Sequence, residues 1–361
     1  MMFWTGPWRF ARLAMAALAM IAGLLATTPE TAKAAPYAAF VMDARTGEVL
    51  HTSNADRRLH PASLTKMMTL YLAIEAVKEG RLSLDQKVRV SSRAAKQPPS
   101  KIGLRAGSRV SIRNLMRAAA VKSANDAAVA LAEATAGSVE NWARMATARA
   151  HSMGMSNTTF KNPHGLTQSG HLSTARDMSV LGRRLFFDHP EYYNLFARKK
   201  TTAMGRTIHA TNRRLLGSYR GADGIKTGYT RAAGFNLVAS AHRGQQHVIA
   251  TVFGARSSAD RTQKVSVLLD KGFARSPTRT AVIPPRNVSH TQVARAATPP
   301  TRPQAPQSLL DRVGAVIAPT AMASERPAVS SSRHAPSRAA TPRARPVTEI
   351  GFAINMPPRR P

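Results

Sequence analysis

Ser63 and Lys66 stand three residues apart at the head of an apolar run, His60-Pro-Ala-Ser63-Leu-Thr-Lys66-Met-Met-Thr-Leu-Tyr-Leu-Ala-Ile74. Pro61 and Ser63 mark a helix start. Beyond them Leu64, Met67, Met68, Leu70, Tyr71, Leu72 and Ile74 make the helix apolar on nearly every side, and a helix of that kind belongs in a core. The spacing puts Lys66 one turn below Ser63 on the same face. A lysine carried into a core loses solvation, which lowers its pKa and favours the neutral amine. A neutral amine beside a hydroxyl can take its proton, and that is how a serine becomes a nucleophile. The bland alternative is an N-cap serine followed by a lysine that reaches back to water. The motif alone does not separate the two.

Two further clusters have the same character. In Ala120-Val-Lys-Ser123-Ala-Asn125-Asp-Ala-Ala-Val-Ala130 a serine and an asparagine open a small-residue helix. A tight turn there aims both side chains into one cleft; without it they are a cap and a first-turn residue. In Asp223-Gly-Ile-Lys226-Thr-Gly228-Tyr-Thr230 a lysine, a hydroxyl and a glycine lie in a short extended piece. Lys226 brings a cation, Thr227 a hydroxyl, and Gly228 allows another backbone to approach closely. The alternative is a tight turn with a solvated lysine.

Each cluster is common alone, but the set is not. Ser-x-x-Lys, Ser-x-Asn and Lys-Thr-Gly in this order are the motifs of penicillin-binding proteins and class A β-lactamases, here 60 and 103 residues apart. The contexts His60-Pro-Ala-Ser-Leu-Thr-Lys66, Asn162-Pro-His-Gly-Leu166, Ser173-Thr-Ala-Arg-Asp-Met178 and Asp223-Gly-Ile-Lys-Thr-Gly-Tyr-Thr230 narrow it. Residues 36–275 resemble the low-molecular-mass D-alanyl-D-alanine carboxypeptidases. The resemblance implies an α+β, β-lactamase/transpeptidase-like fold. It implies a serine peptidase that removes the last D-alanine of peptidoglycan stem pentapeptides and takes β-lactams as covalent inhibitors. Ser63 would attack, with Lys66 as base. Ser123 would relay the proton to the leaving amine, and Asn125 would hold the substrate's peptide bond. Lys226 and Thr227 would bind the terminal carboxylate beside Gly228. The N–H groups of Ser63 and Tyr229 would form the oxyanion hole, and Arg261, 35 residues after Lys226, would assist with the carboxylate. No cofactor is implied. The 11 histidines show no metal-ligand cluster, and His164 reads as a packed turn residue.

The elements that must position these groups follow from patterning. Residues 37–50 read as a hairpin, and 235–241 with 247–253 as another. Helical patterns cover 63–79, 111–135, 138–153, 174–187 and 261–275. Strands at both ends with helices between predict one antiparallel sheet built by the chain ends, carrying a helical lobe.

Composition sets the remaining boundaries. Arg9 and Arg12, the apolar run Leu13–Ala26 and Ala32-Lys33-Ala34 form a secretory signal with cleavage near Ala34. The expected location is the periplasm. The catalytic domain is then 35–275. Residues 276–361 hold 15 of the 23 prolines and 12 arginines, no lysine and three acids, a composition that cannot bury enough surface to order itself. Many family members carry an all-β domain and a terminal amphipathic membrane helix at this end; this tail reads as disordered, apart from Ser308–Ala318, where Leu309, Leu310, Val313, Val316 and Ile317 share one helical face and a short, fraying helix or a membrane-surface helix are the alternatives. Its basic charge suits peripheral contact with anionic membrane or wall. Cysteine is absent, which excludes disulfides and thiol chemistry. The net charge of +33 suits anionic surroundings, but an export signal argues against nucleic acid. The competing functions are a peptidoglycan endopeptidase, a class A-like β-lactamase and an inactive wall-binding module. The first shares the site, the second lacks a placed glutamate, and intact motifs argue against the third.

Overall fold

The computed structural model describes residues 35–286. The expected signal segment and nearly all of the basic tail lie outside the described residues. The chain opens with β1 (Ala38–Asp43) and β2 (Val49–Ser53). Two small ribbons follow in the helical region, β3 (Lys87–Arg89) with β4 (Arg109–Ser111) and β5 (Lys200–Ala203) with β6 (Arg206–His209). Then come β7 (Ala222–Thr230), β8 (Gly234–Arg243) and β9 (Gln246–Ala255). The five long strands form one antiparallel sheet in the order β2-β1-β9-β8-β7. The first and last strands of the described residues therefore meet side by side at β1 and β9, as the end-strand patterning predicts.

The sheet is apolar on both faces, and strand alternation divides its side chains between two cores. Phe40, Met42, Val238, Ile249 and Phe253 face the helical lobe. Val41, Leu237, Ala239, Val248 and Val252 face the C-terminal helix Ser258–Arg275, which returns Val265, Leu268, Leu269 and Phe273. That helix lies tight on the sheet, since a Cβ at Gly272 would stand 2.5 Å from Val248. On the other side the Lys66–Lys78 helix is buried continuously from Lys66 to Ala76, as its all-round apolar character requires.

The helical lobe departs from expectation in one place that matters. A single helix over 111–135 is expected. Instead Ile112–Arg117 runs into a π-turn, Ala118–Lys122, and the chain breaks at Ser123, whose φ is +62°. A new helix, Asn125–Ala136, starts two residues later. The alanine-rich sequence carries no glycine or proline to announce this break. The helices Pro190–Ala197 and Arg213–Ser218 and both ribbons are also additions to the sequence reading.

The boundary expected at 275 falls inside a docked segment. Arg45 pairs with Asp43 through two hydrogen bonds, 2.7 and 3.1 Å, in a buried position. The Ser276 hydroxyl donates to the same Asp43 carboxylate at 2.6 Å. Arg45 also donates to the carbonyls of Pro277, 2.5 Å, and Thr278, 3.4 Å. Further along, Ile283 N–H donates to Arg45 O at 2.9 Å, while Arg183 and Arg184 bond the carbonyls of Ile283 and Arg286. The folded unit thus extends to at least Arg286. Truncation after Arg275 should lower Tm, at about 1 kcal/mol per lost bond and ~2–4 °C per kcal/mol for a domain of this size. Truncation after Arg286 keeps all of these bonds and should lower Tm less than truncation after Arg275. Equal melting of the two truncations would refute this reading of the segment.

Candidate active site

Ser63 sits in a one-turn 3₁₀ helix, Ala62–Thr65, that feeds the buried Lys66 helix. Its side chain caps nothing, so the N-cap reading is not what the structure adopts. The turn is anchored from three sides. Leu59 exchanges backbone hydrogen bonds with Ser173, 2.7 and 2.8 Å. Thr65 donates its hydroxyl to Ala62 O at 2.9 Å and lies 2.8 Å from Nε2 of His171. Lys161 N–H donates to Nδ1 of that histidine, so Nε2 carries the proton. Burial, then the neighbouring His60 and Lys161, hold the His171 pKa down to about 3. These contacts stabilise Ala62 at φ +47°, a left-handed conformation that costs an alanine about 1–3 kcal/mol. Gly165 lies against the Ala62 carbonyl so closely that a Cβ there would be 1.8 Å from it.

Lys66 is wholly buried. Its Nζ lies 2.7 Å from Asn125 Oδ1, 2.7 Å from His164 O and 3.0 Å from Ser63 Oγ. The Asn125 amide is oriented by its other end, which donates to Pro98 O and Pro99 O. Two of the three groups around Nζ can only accept. A neutral amine has two N–H donors and one lone pair, so satisfying both acceptors leaves the lone pair for the Ser63 hydroxyl. Burial, joined by the Lys226 charge, holds this amine well below the ordinary lysine range, against a smaller upward pull from Asp126. The arrangement can deprotonate Ser63.

The opposite wall comes from β7. Lys226 is buried, and its Nζ donates to Ser123 Oγ and Thr227 O, each at 2.9 Å. The left-handed Ser123 turns its hydroxyl to this amine, which a continuous helix would not do. Thr227 donates its hydroxyl to Thr211 at 2.6 Å. Gly228 packs against the nucleophile turn, where a Cβ would be 3.0 Å from Ser63 N. Burial, then the Arg261 charge, lowers the Lys226 pKa to about 7. Arg261 is 6% exposed; it donates to Ser258 Oγ at 3.1 Å, and its Nε has no partner. Burial lowers its pKa to about 10. Between the walls lies a groove of about 310 Å³ that touches Ser63, Ser123, Asn125, Thr227, Gly228 and Arg261. Tyr229 stands at the rim, 55% exposed and stacked on Phe235 at 4.2 Å.

Every residue singled out in the sequence therefore reaches one place. Several partners were not singled out. Asp126, buried beside Asn125, accepts from the N–H groups of Ile102, Gly103 and Leu104 and pins the segment that carries Pro98-Pro99-Ser100. Asn162 accepts from Gly165 N–H at 2.7 Å and so shapes the loop that offers His164 O. His164 is a packed turn residue, as expected, with Leu166 N–H donating to its Nδ1. Asp126 follows the Ser-x-Asn motif directly, and Asn162 opens the Asn-Pro-His-Gly-Leu context. Their roles needed the loops they close. Among the described residues no group of three or more His, Cys, Asp or Glu can hold a metal ion.

Residues 25–257 match the model of the peptidase S11 family, D-alanyl-D-alanine carboxypeptidase. The chain belongs to that family. It is 38% identical over 245 residues to the D-alanyl-D-alanine carboxypeptidase DacF of Bacillus subtilis, covering 66% of this chain and 62% of the relative. It is 39% identical over 250 residues to DacC of Escherichia coli, covering 68% and 62%. The chain thus spans about three-fifths of the length of these relatives. Among solved structures, penicillin-binding protein 5 of Haemophilus influenzae matches with a TM-score of 0.64 and 36% identity, over 69% of this chain and 73% of that one. Penicillin-binding protein D2 of Listeria monocytogenes in its cefotaxime-bound form gives 0.60 and 34%, over 65% and 96%.

The three basic groups form a series in which each outer charge bears on the next amine inward. NMR of labelled lysine side chains should find Lys226 titrating near pH 7, and Arg261→Met should move that titration upward. An unchanged titration in the variant would show that Arg261 does not act on Lys226.

Proposed function

We propose that this protein is a serine-type D-alanyl-D-alanine carboxypeptidase that trims peptidoglycan stem peptides in the periplasm through an acyl-enzyme on Ser63. The observation that carries this reading is the buried Lys66 amine, 3.0 Å from Ser63 Oγ and in contact with two neutral acceptors rather than a carboxylate. In the first step the Ser63 proton passes to Lys66 Nζ, and Oγ bonds to the carbonyl carbon between the two D-alanines. The oxyanion is met by the N–H groups of Ser63 and Tyr229, donors fixed before the charge forms. Asn125 holds the substrate's peptide group. As the C–N bond breaks, the proton held by Lys66 is relayed through Ser123, itself held by Lys226, to the leaving amine, which restores the Ser123 hydroxyl and the neutral Lys66. Lys226, Thr227 and Arg261 receive the terminal carboxylate, and Thr227 and Arg261 line the groove that would hold it. Water then hydrolyses the ester and regenerates Ser63. A β-lactam presents a carbonyl and a carboxylate to the same groups, in keeping with the cefotaxime-bound relative. The basic tail, beyond the described residues, would add contact with anionic wall or membrane.

The pH dependence follows from the two amines. Protonated Lys66 has no lone pair, so kcat/KM falls as pH falls through its lowered pKa. Lys226 loses its charge as pH rises through about 7, so kcat/KM for a carboxylate-bearing substrate falls again on the alkaline side. Bound carboxylate favours the charged form, so kcat should hold to higher pH than kcat/KM. Coincident alkaline limbs would refute the role of Lys226.

Fluorescent penicillin should label the native protein, while Ser63→Ala and Lys66→Ala should each reduce labelling at least a hundredfold. Digestion of pentapeptide muropeptides should release one alanine per chain, read by mass. A labelled Ser63→Ala variant, or monomers from dimers without loss of alanine, would overturn the assignment.

A further inference from the structure

Next to the site is a wider groove of about 760 Å³. Arg93 and Gln97 form one bank, His164 and Gln168 the other, and the helix Val139–Ser152 supplies Arg144 to its surface. No residue lines both grooves, but two chain segments run from one into the other. Gln97 directly precedes Pro98 and Pro99, which hold the Asn125 amide. His164 directly precedes Gly165 and Leu166, which line the smaller groove. A chain whose C-terminal carboxylate lies at Lys226 and Arg261 leaves the small groove at this opposite end, past Asn125 and Leu166.

The wider groove is cationic. Arg93, Arg144 and Lys161 line it against one carboxylate, Glu140. Arg93 takes that carboxylate at 2.7 Å. Arg144 bonds the Asn141 side chain and makes no ion pair among the described residues. Burial, with a smaller contribution from the Arg93 charge, keeps His164 neutral, with a pKa of about 3. The groove therefore presents unmatched positive charge next to a catalytic cleft, over a floor that includes Phe160 and Ala143.

We infer that this groove receives the acidic part of the acyl-donor peptide, the residues before the scissile bond, with Arg144 and Arg93 meeting its free carboxylates. The inference rests on the acyl-transfer reading of Ser63 and names the substrate class of that site, a D-Ala-D-Ala peptide with acidic residues upstream. Planar guanidinium groups suit carboxylate recognition.

The test uses two synthetic peptides ending in D-Ala-D-Ala that differ only in an upstream carboxylate or its carboxamide. The full-length protein should prefer the carboxylate in kcat/KM. The Arg93→Ala/Arg144→Ala double variant should lose that preference, by roughly five- to tenfold for two exposed charge contacts, with penicillin acylation of Ser63 unchanged. Arg144→Glu should shift the preference toward an amine-bearing peptide. An equal loss on both peptides, or no loss on either, would overturn the inference while leaving the carboxypeptidase reading intact. If the native protein turns over neither peptide and is not acylated, the underlying reading fails and the inference with it.

Discussion

Burying Lys66 without a carboxylate against it is the constraint on which the rest depends. A lysine ammonium in a low-dielectric core normally demands an anion. Here its contacts are a hydroxyl, an amide oxygen and a backbone carbonyl, none of them charged. Such an environment favours the amine over the ammonium. A direct carboxylate partner would fill the same volume and satisfy the same donors, but it would stabilise the ammonium and remove the lone pair. Asp126 is the nearest candidate. Its carboxylate is instead occupied by the N–H groups of Ile102, Gly103 and Leu104, so its effect on Lys66 is only a modest upward pull. One aspartate thus closes a loop, and the loop's carbonyls orient Asn125, while the charge is kept off the base.

The second wall applies the same physics in a graded way. Lys226 and Arg261 are both buried cations whose charged forms are disfavoured first by burial. Folding therefore releases protons from the two lysines. The cost from Lys226 is full below about 7 and disappears as pH rises toward the unfolded lysine value near 10.4. A protein selected for stability alone has no use for three basic groups in one groove. The proposed reaction needs them, because an arriving carboxylate would restore what burial removes while their field lowers the Lys66 amine.

The chemistry was easier to read in the sequence than the shape. Ser63, Lys66, Ser123, Asn125 and Lys226 were legible because each motif couples residue type to short spacing, and the apolar run after Ser63 supplied burial. The end strands were legible because β8 and β9 are near-continuous apolar runs. The break at Ser123 was legible only in part: Ser123 and Asn125 read as the opening of a helix, while the helical pattern over 111–135 ran across them. The alanines on both sides of it favour helix, and the left-handed turn is stabilised by long-range contacts, Asn125 N–H to Ser100 O at 2.6 Å and Lys226 to Ser123. The docked segment 276–286 was missed for a related reason. Its composition matches the tail that follows, and what orders it is a buried arginine more than two hundred residues away. The Arg213–Ser218 helix and the β5–β6 ribbon lack strong periodicity and are set by their neighbours.

Both failures lie where a polar group from a distant segment overrides local preference, and the same device builds the site. Ala62 and Ser123 are non-glycine residues in left-handed backbone, each next to or part of the reacting constellation. Strain of this size persists only when surrounding contacts over-determine it. For Ala62 those contacts are Thr65, His171 and the bare face of Gly165. For Ser123 they are Lys226 and the loop pinned by Asp126. The nucleophile turn, the Ser-x-Asn turn and β7 come from segments far apart in the chain, so the groove exists only once the sheet has closed around its first and last strands. Neither amine can be desolvated before that closure. The proton affinity of Lys66 is accordingly a property of the finished fold, and the motif Ser-x-x-Lys acquires its chemistry only inside it.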